Sequence, residues 1–116
     1  MIKERFTKFE IDPTVSGVYH LMNMMGHNGC SVQVTWSGLT AASAIDIDLQ
    51  IQQSNDTVDT SFKDDIAPFY HNISDASESI TFEHNAFEGA ELYLKVTSTD
   101  CTAGVINVYS TRRIHG

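Results

Sequence analysis

Between Cys30 and Asp56 the chain alternates apolar and polar positions twice in succession. Val32, Val34 and Trp36 alternate with Ser31, Gln33 and Thr35, and Ile45, Ile47, Leu49 and Ile51 alternate with Asp46, Asp48, Gln50 and Gln52. A period of two places each apolar set on one face of an extended strand and each polar set on the other, so two half-buried strands are predicted. The residues between them, Ser37 to Ala44, are mostly small and include Gly38, which suits a hairpin or a short crossing between two sheets.

The same period recurs along the chain. Ser79 to His84 places Ile80 and Phe82 inward, Leu92 to Ser98 opposes Leu92, Leu94 and Val96 to Tyr93, Lys95 and Thr97, and Val105 to Thr111 opposes Ile106 and Val108 to Asn107 and Tyr109. Ser16 to Met22 is apolar on both sides, with Tyr19 and Leu21 opposed to Val18, His20 and Met22, as for a strand at an interface or inside. Turn chemistry separates these runs at Asn23 to Gly29, Asn85 to Glu91 and Thr99 to Gly104. Ser54 to Asp65 is polar and opens with a tight turn at Ser54 to Thr57. Ile66 to Glu78 reads as a long connection anchored by Ile66, Phe69, Tyr70 and Ile73, with Phe62 just before them and Pro68 excluding a helix interior. No stretch keeps a helical period for three turns. The expected fold is all-β, an antiparallel β-sandwich of jelly-roll-like form with about six to eight strands.

The ends differ from the centre. Residues 11 to 94 hold twelve acids and Lys63 as their one base, whereas Lys3, Arg5 and Lys8 crowd the first ten residues and Arg112 and Arg113 open the last five. This divides the chain into an N-terminal arm (1–14), a sandwich domain (15–111) and a basic C-terminal tail (112–116). Phe6, Phe9 and Ile11 give the arm something to bury, on another surface or back on its own domain. Lys3, Arg5, Phe6, Lys8, Phe9, Tyr19, Arg112 and Arg113 are the candidate assembly contacts.

Composition narrows the function classes. A chain of 116 residues with a net charge of −8 makes one domain, and its charge repels phosphate backbones, so nucleic acid is not expected as a partner. No run reaches the roughly 18 apolar residues of a membrane span, and the opening MIKERFTKFE lacks the apolar segment of a signal peptide; membrane partners are not expected.

Candidate chemistry is sparse. The histidines at 20, 27, 71, 84 and 115 have no zinc spacing, and His27 with Cys30 is the one local pair. Asp46 and Asp48 share a strand face, and Asp56, Asp59, Asp64 and Asp65 crowd the next loop, but without the order of an EF-hand; outward charges also protect a strand from aggregation. No catalytic, cofactor or metal residue is assigned, and no enzyme activity is expected. Cys30 and Cys101 read as buried small hydrophobes, with a disulfide as the alternative. Sequons at Asn55 and Asn72 matter only on a secretory route. Trp36 with Tyr19, Tyr70, Tyr93 and Tyr109 would make a sugar-stacking platform, although the apolar face that Trp36 shares with Val32 and Val34 favours a core position.

Val34-Thr35-Trp36-Ser37-Gly38, the alternating run from Ile45 to Gln52, and Ser54-Asn55-Asp56 together resemble small β-sandwich structural proteins of tailed bacteriophages. In those chains a strand of the Leu92 to Val96 kind and a final glycine-led strand, here Gly104 to Ser110, complete the sheet. Two features depart from that pattern: Thr57 stands where a glycine is usual, and Phe62 is the nearest aromatic where a tryptophan often follows the turn. The resemblance implies a virion component present in many symmetric copies and without catalytic residues. That means a homo-oligomer whose partners are other virion proteins of capsid or tail, most simply a head decoration or auxiliary protein and otherwise a neck or tail component. A carbohydrate-binding module contacting host glycans, with Trp36 and Tyr93 at its site, is the competing class.

Overall fold

In the computed structural model, which describes residues 2–54, 70–84 and 91–114, the alternating runs fuse into fewer and longer strands than their spacing suggests. The described residues form β1 (Ile2–Ile11), β2 (Gly17–Asn23), β3 (Gly29–Ser54), β4 (Tyr70–Ile73), β5 (Glu78–His84) and β6 (Glu91–Ile114). β3 and β6 are antiparallel along their whole length, from Gly29 opposite Arg113 to Ser54 opposite Glu91. β1 and β2 pair with the two halves of β6, and β5 and β4 pair with the two halves of β3. The result is one sheet, four strand lines wide, folded once across its middle.

Side-chain contacts require that fold. Phe9 and Tyr19 are ten residues apart, about 33 Å if the chain ran straight, yet their ring centroids lie 6.2 Å apart. Trp36 lies 5.8 Å from the ring of His71, whose strand partner Leu49 is thirteen residues further along β3, about 43 Å if straight. The two half-sheets therefore face each other, and the all-β antiparallel sandwich expected from the sequence is what the chain forms. Its single core takes Val32, Val34 and Trp36 from one half of β3 and Ile47, Leu49 and Ile51 from the other, against Leu92, Leu94, Val96, Ile106 and Val108 of β6.

All four strand lines bend at one level. β1 and β2 are separated there by residues 12–16, where Asp12 Oδ1 accepts from the Thr14 amide at 3.0 Å and its hydroxyl at 2.7 Å. β4 and β5 are separated by residues 74–77, whose Ala76 carbonyl accepts from the Leu39 amide at 3.1 Å. Within β3 and β6 the bend is made by bulges. Ser37 faces Val105 and Asp46 faces Thr99, so β3 spends nine residue steps where β6 spends six. That odd surplus moves the inward positions of β3 from even numbers to odd ones. Gly38 and Gly104 take φ of +64° and +126° in the bend, and Asp100 takes +58°.

Several expectations change as a consequence. Residues 30–36 and 45–52 are not hairpin partners; they are two halves of one strand, and Ser37 to Ala44 is the crossing between half-sheets. Thr99 to Gly104 is likewise a bend within β6 and not a turn between strands. Residues 2–11 are no separate arm, because they add β1 to the edge of β6 and bury Ile11 to 1% exposure. The basic tail is strand as far as Ile114, with Arg113 opposite both Lys3 and Gly29. Cys30 and Cys101 are both buried and not joined by a disulfide. Cys101 is placed opposite Ala41 in the bend, whereas Cys30 is placed near the start of β3 opposite Arg112. The turn expected at Asn85 to Glu91 and the polar stretch and anchors between 55 and 69, Asn55, Asp56, Asp59, Phe62, Asp64, Asp65, Ile66, Pro68 and Phe69 among them, fall outside the described residues except for Glu91.

Candidate functional site

The outer face of the half-sheet β2-β6-β3-β4 carries two groups of polar side chains joined by hydrogen bonds. Inward Ile47, Leu49 and Ile73 leave Asp46, Asp48 and Gln50 of β3 and Tyr70 and Asn72 of β4 outward, with Asp48 opposite Asn72 and Gln50 opposite Tyr70. Asn72 Nδ2 donates to Asp46 Oδ1 at 2.7 Å and Asp48 Oδ1 at 2.8 Å. The Tyr70 hydroxyl donates to the same Asp48 oxygen at 2.5 Å. This explains how two carboxylates sit side by side on one strand, since both are bridged by one amide.

The hydrogen bonds from Tyr70 and then Asn72 hold the Asp48 carboxyl below its ordinary 3.8. Reciprocally, the bond to Asp48 pushes the Tyr70 phenol above its ordinary 10.0. A carboxyl depressed in the folded state contributes stability above its unfolded value, lost as pH falls through the folded one. Tyr70→Phe should therefore melt below wild type at pH 5–7, and the two curves should converge in acid below 3.8. Differential scanning calorimetry across that range checks this, and a gap unchanged by acid would mean that the bond to Asp48 is not its source.

A second group lies on the same face. His20 Nε2 is 3.1 Å from Glu91 Oε1, and the His20 ring stands edge-on to Tyr93 at 5.0 Å. By register Glu91, Tyr93 and Gln52 face away from the core, yet all three are buried. Tyr93 is 2% exposed, so its ring offers no stacking surface. Trp36, at 3%, is a core residue whose Nε1 donates to Asp75 Oδ1 at 2.9 Å. The platform built on Trp36 and Tyr93 is thereby corrected.

The assembly candidates separate in the same way. Phe9 and Tyr19 pack against the core and each other. Arg112 reaches back to the Asn23 carbonyl at the end of β2. Lys8 is exposed, with Nζ 5.4 Å from the centre of the Tyr109 ring. Lys3, Arg5 and Phe6 are placed on edge strand β1 by register, and Arg113 near the end of β6. Among the described residues no three His, Cys, Asp or Glu side chains are grouped to hold a metal, and His27 Nδ1 lies 2.9 Å from the Met25 carbonyl oxygen. The loop carboxylates of the calcium alternative lie outside the described residues.

Sequence reading placed Tyr70 both among the apolar anchors and in a stacking platform with Trp36, and took Asn72 as a sequon; it missed that the two meet Asp46 and Asp48. β4 is four residues long and its inward positions are His71 and Ile73, so a polar inward residue hides the alternation that would have marked it.

No family model matches the chain. No curated protein matches it in sequence. Among solved structures, a CBM4 carbohydrate-binding module aligns at 13% identity and a TM-score of 0.46, covering 91% of this chain and 61% of that one. This chain thus spans less than two thirds of that module. A Yersinia pseudotuberculosis-derived mitogen aligns at 11% identity and 0.46, covering 96% and 86%. The SPBc2 prophage-derived protein YomS aligns at 10% and 0.39, covering 97% and 99%.

Proposed function

We propose that the chain is a non-enzymatic structural protein of a tailed-bacteriophage particle, first a head decoration or auxiliary protein and second a neck or tail component. The observation that carries the reading is where its phage-like residues lie. Trp36-Ser37-Gly38 is the point at which β3 leaves one half-sheet for the other: Trp36 is buried on Asp75, the Gly38 amide donates to Ser77 Oγ at 3.3 Å, and its φ is positive. The resemblance thus rests on residues that make the fold.

The edges support association of copies. Among the described residues β1, β2, β4 and β5 each pair on one side only, and such edges are templates for further pairing unless guarded. β1 carries Lys3, Arg5 and Lys8, while β5 and the turn before it carry Asp75, Glu78 and Glu83. Unlike edges on opposite sides of one half-sheet fit head-to-tail contact around a symmetry axis. Quantitative mass spectrometry of purified particles tests the function. The expected result is many copies per particle, with Lys8→Glu lowering the number. A chain absent from washed particles would overturn it.

A second reading, a glycan-contacting module, loses Trp36 and Tyr93. Tyr70 keeps it in view.

A further inference from the structure

Tyr70 stands exposed, at 52%. Trp36, Phe82 and Tyr93 are buried, Phe9 and Tyr19 pack on the core, and Tyr109 has Lys8 over its ring. Tyr70 is also held at both ends. Its backbone pairs with Gln50 in the β3–β4 ladder, and its hydroxyl is bound to Asp48. An aromatic ring already fixed in this way loses little conformational freedom on binding, and that is how a small contact gains affinity.

The neighbours of the ring define what fits against it. Asp46, Asp48 and Asn72 present carboxylate and amide oxygens beside the ring, which suits a ligand rich in hydroxyl donors. Their charge repels phosphate and carboxylate ligands. A bare cation is a poor match, because the Asn72 amide already donates to one oxygen of each carboxylate. A ligand with a flat C–H face for the ring and equatorial hydroxyls for the acids meets these conditions. We propose that Tyr70, flanked by Asp46, Asp48 and Asn72, is a binding site for a neutral saccharide on the outer face of this half-sheet. The site rests on the glycan-contacting reading and not on the assembly reading, so the loss of particle incorporation and the loss of saccharide binding are separate outcomes.

The test is a two-dimensional amide NMR titration of the full chain. The probes are neutral oligosaccharides of gluco, galacto and manno configuration, with a hexuronate oligomer and calcium chloride as controls. Saturable shifts confined to residues 46–50 and 70–73 are expected with at least one neutral probe, and none with the hexuronate or calcium. Tyr70→Ala should weaken binding about tenfold, and Tyr70→Phe, which keeps the ring, by less. A thermal melt of each variant establishes that it is folded; should Tyr70→Ala fail that check, Asp46→Ala at the rim of the site replaces it and should also weaken binding. Absence of saturable shifts with every neutral probe, or undiminished binding by a folded variant, would overturn the proposal.

Discussion

Alanine in place of Gly104 should lower the melting temperature by about 10 °C or more. The φ of +126° at this position lies where side chains other than hydrogen are rarely accommodated, a cost of roughly 1–3 kcal/mol. A Cβ there would also meet Leu39 Cδ2 at 2.5 Å, Leu39 Cα at 2.8 Å and Leu39 N at 3.0 Å. Two of those atoms are backbone and cannot rotate away, and Leu39 is itself 2% exposed. Together the terms come to about 3 kcal/mol, and a domain of this size loses roughly 4 °C for each. Gly38 is the control: its φ is +64° but nothing lies within 4 Å of its Cβ position. Gly38→Ala should cost only the backbone term, about 1 kcal/mol. Equal losses at the two sites, measured by thermal melts followed by circular dichroism, would mean that the close approach of β6 to Leu39 does not matter.

Deleting residues 1–12 should abolish cooperative unfolding. The deletion takes away β1, with Ile11 at 1% exposure and Phe9 packed against the same core, and leaves β6 from Ile106 to Ile114 paired with β3 on one side only. Ile106 and Val108, now fully buried, would face water along a newly opened edge. Losing two large apolar side chains alone costs several kcal/mol, against a total stability of about 5–15 kcal/mol for a domain. A separable arm would instead leave the melt of the remainder unchanged, and that result would remove β1 from the fold. The same reasoning makes Lys8→Glu the better probe of assembly, since it alters an exposed position of β1 and leaves the strand in place.

Much of the fold was legible. Val32, Val34 and Trp36, then Ile47, Leu49 and Ile51, are inward as their alternation predicts. The switch from even to odd inward positions between Trp36 and Ile45 was visible too, and its meaning is the bulged bend. What could not be read was which strand lies beside which. Residues 30–36 lie between β5 and β6, partners some fifty and seventy-five residues away, and alternation carries no information about distance. The candidate site was less legible. Asp46 and Asp48 were recognisable as outward neighbours, but the Asn72 bridge and the Tyr70 hydroxyl bond depend on the β3–β4 register. Tyr93 misled in the opposite sense, outward by period yet buried.

Local alternation, the glycines and the small residues between runs were enough to determine an extended, two-faced chain with a single apolar side, because side-chain direction in a strand follows from backbone geometry alone. The pairing of β3 with β6, the recruitment of residues 2–11 as an edge, and the meeting of Tyr70 and Asn72 with two aspartates were decided only in three dimensions. Those contacts join residues remote in sequence, and they arise from the need of each half-sheet to cover its apolar face with the other.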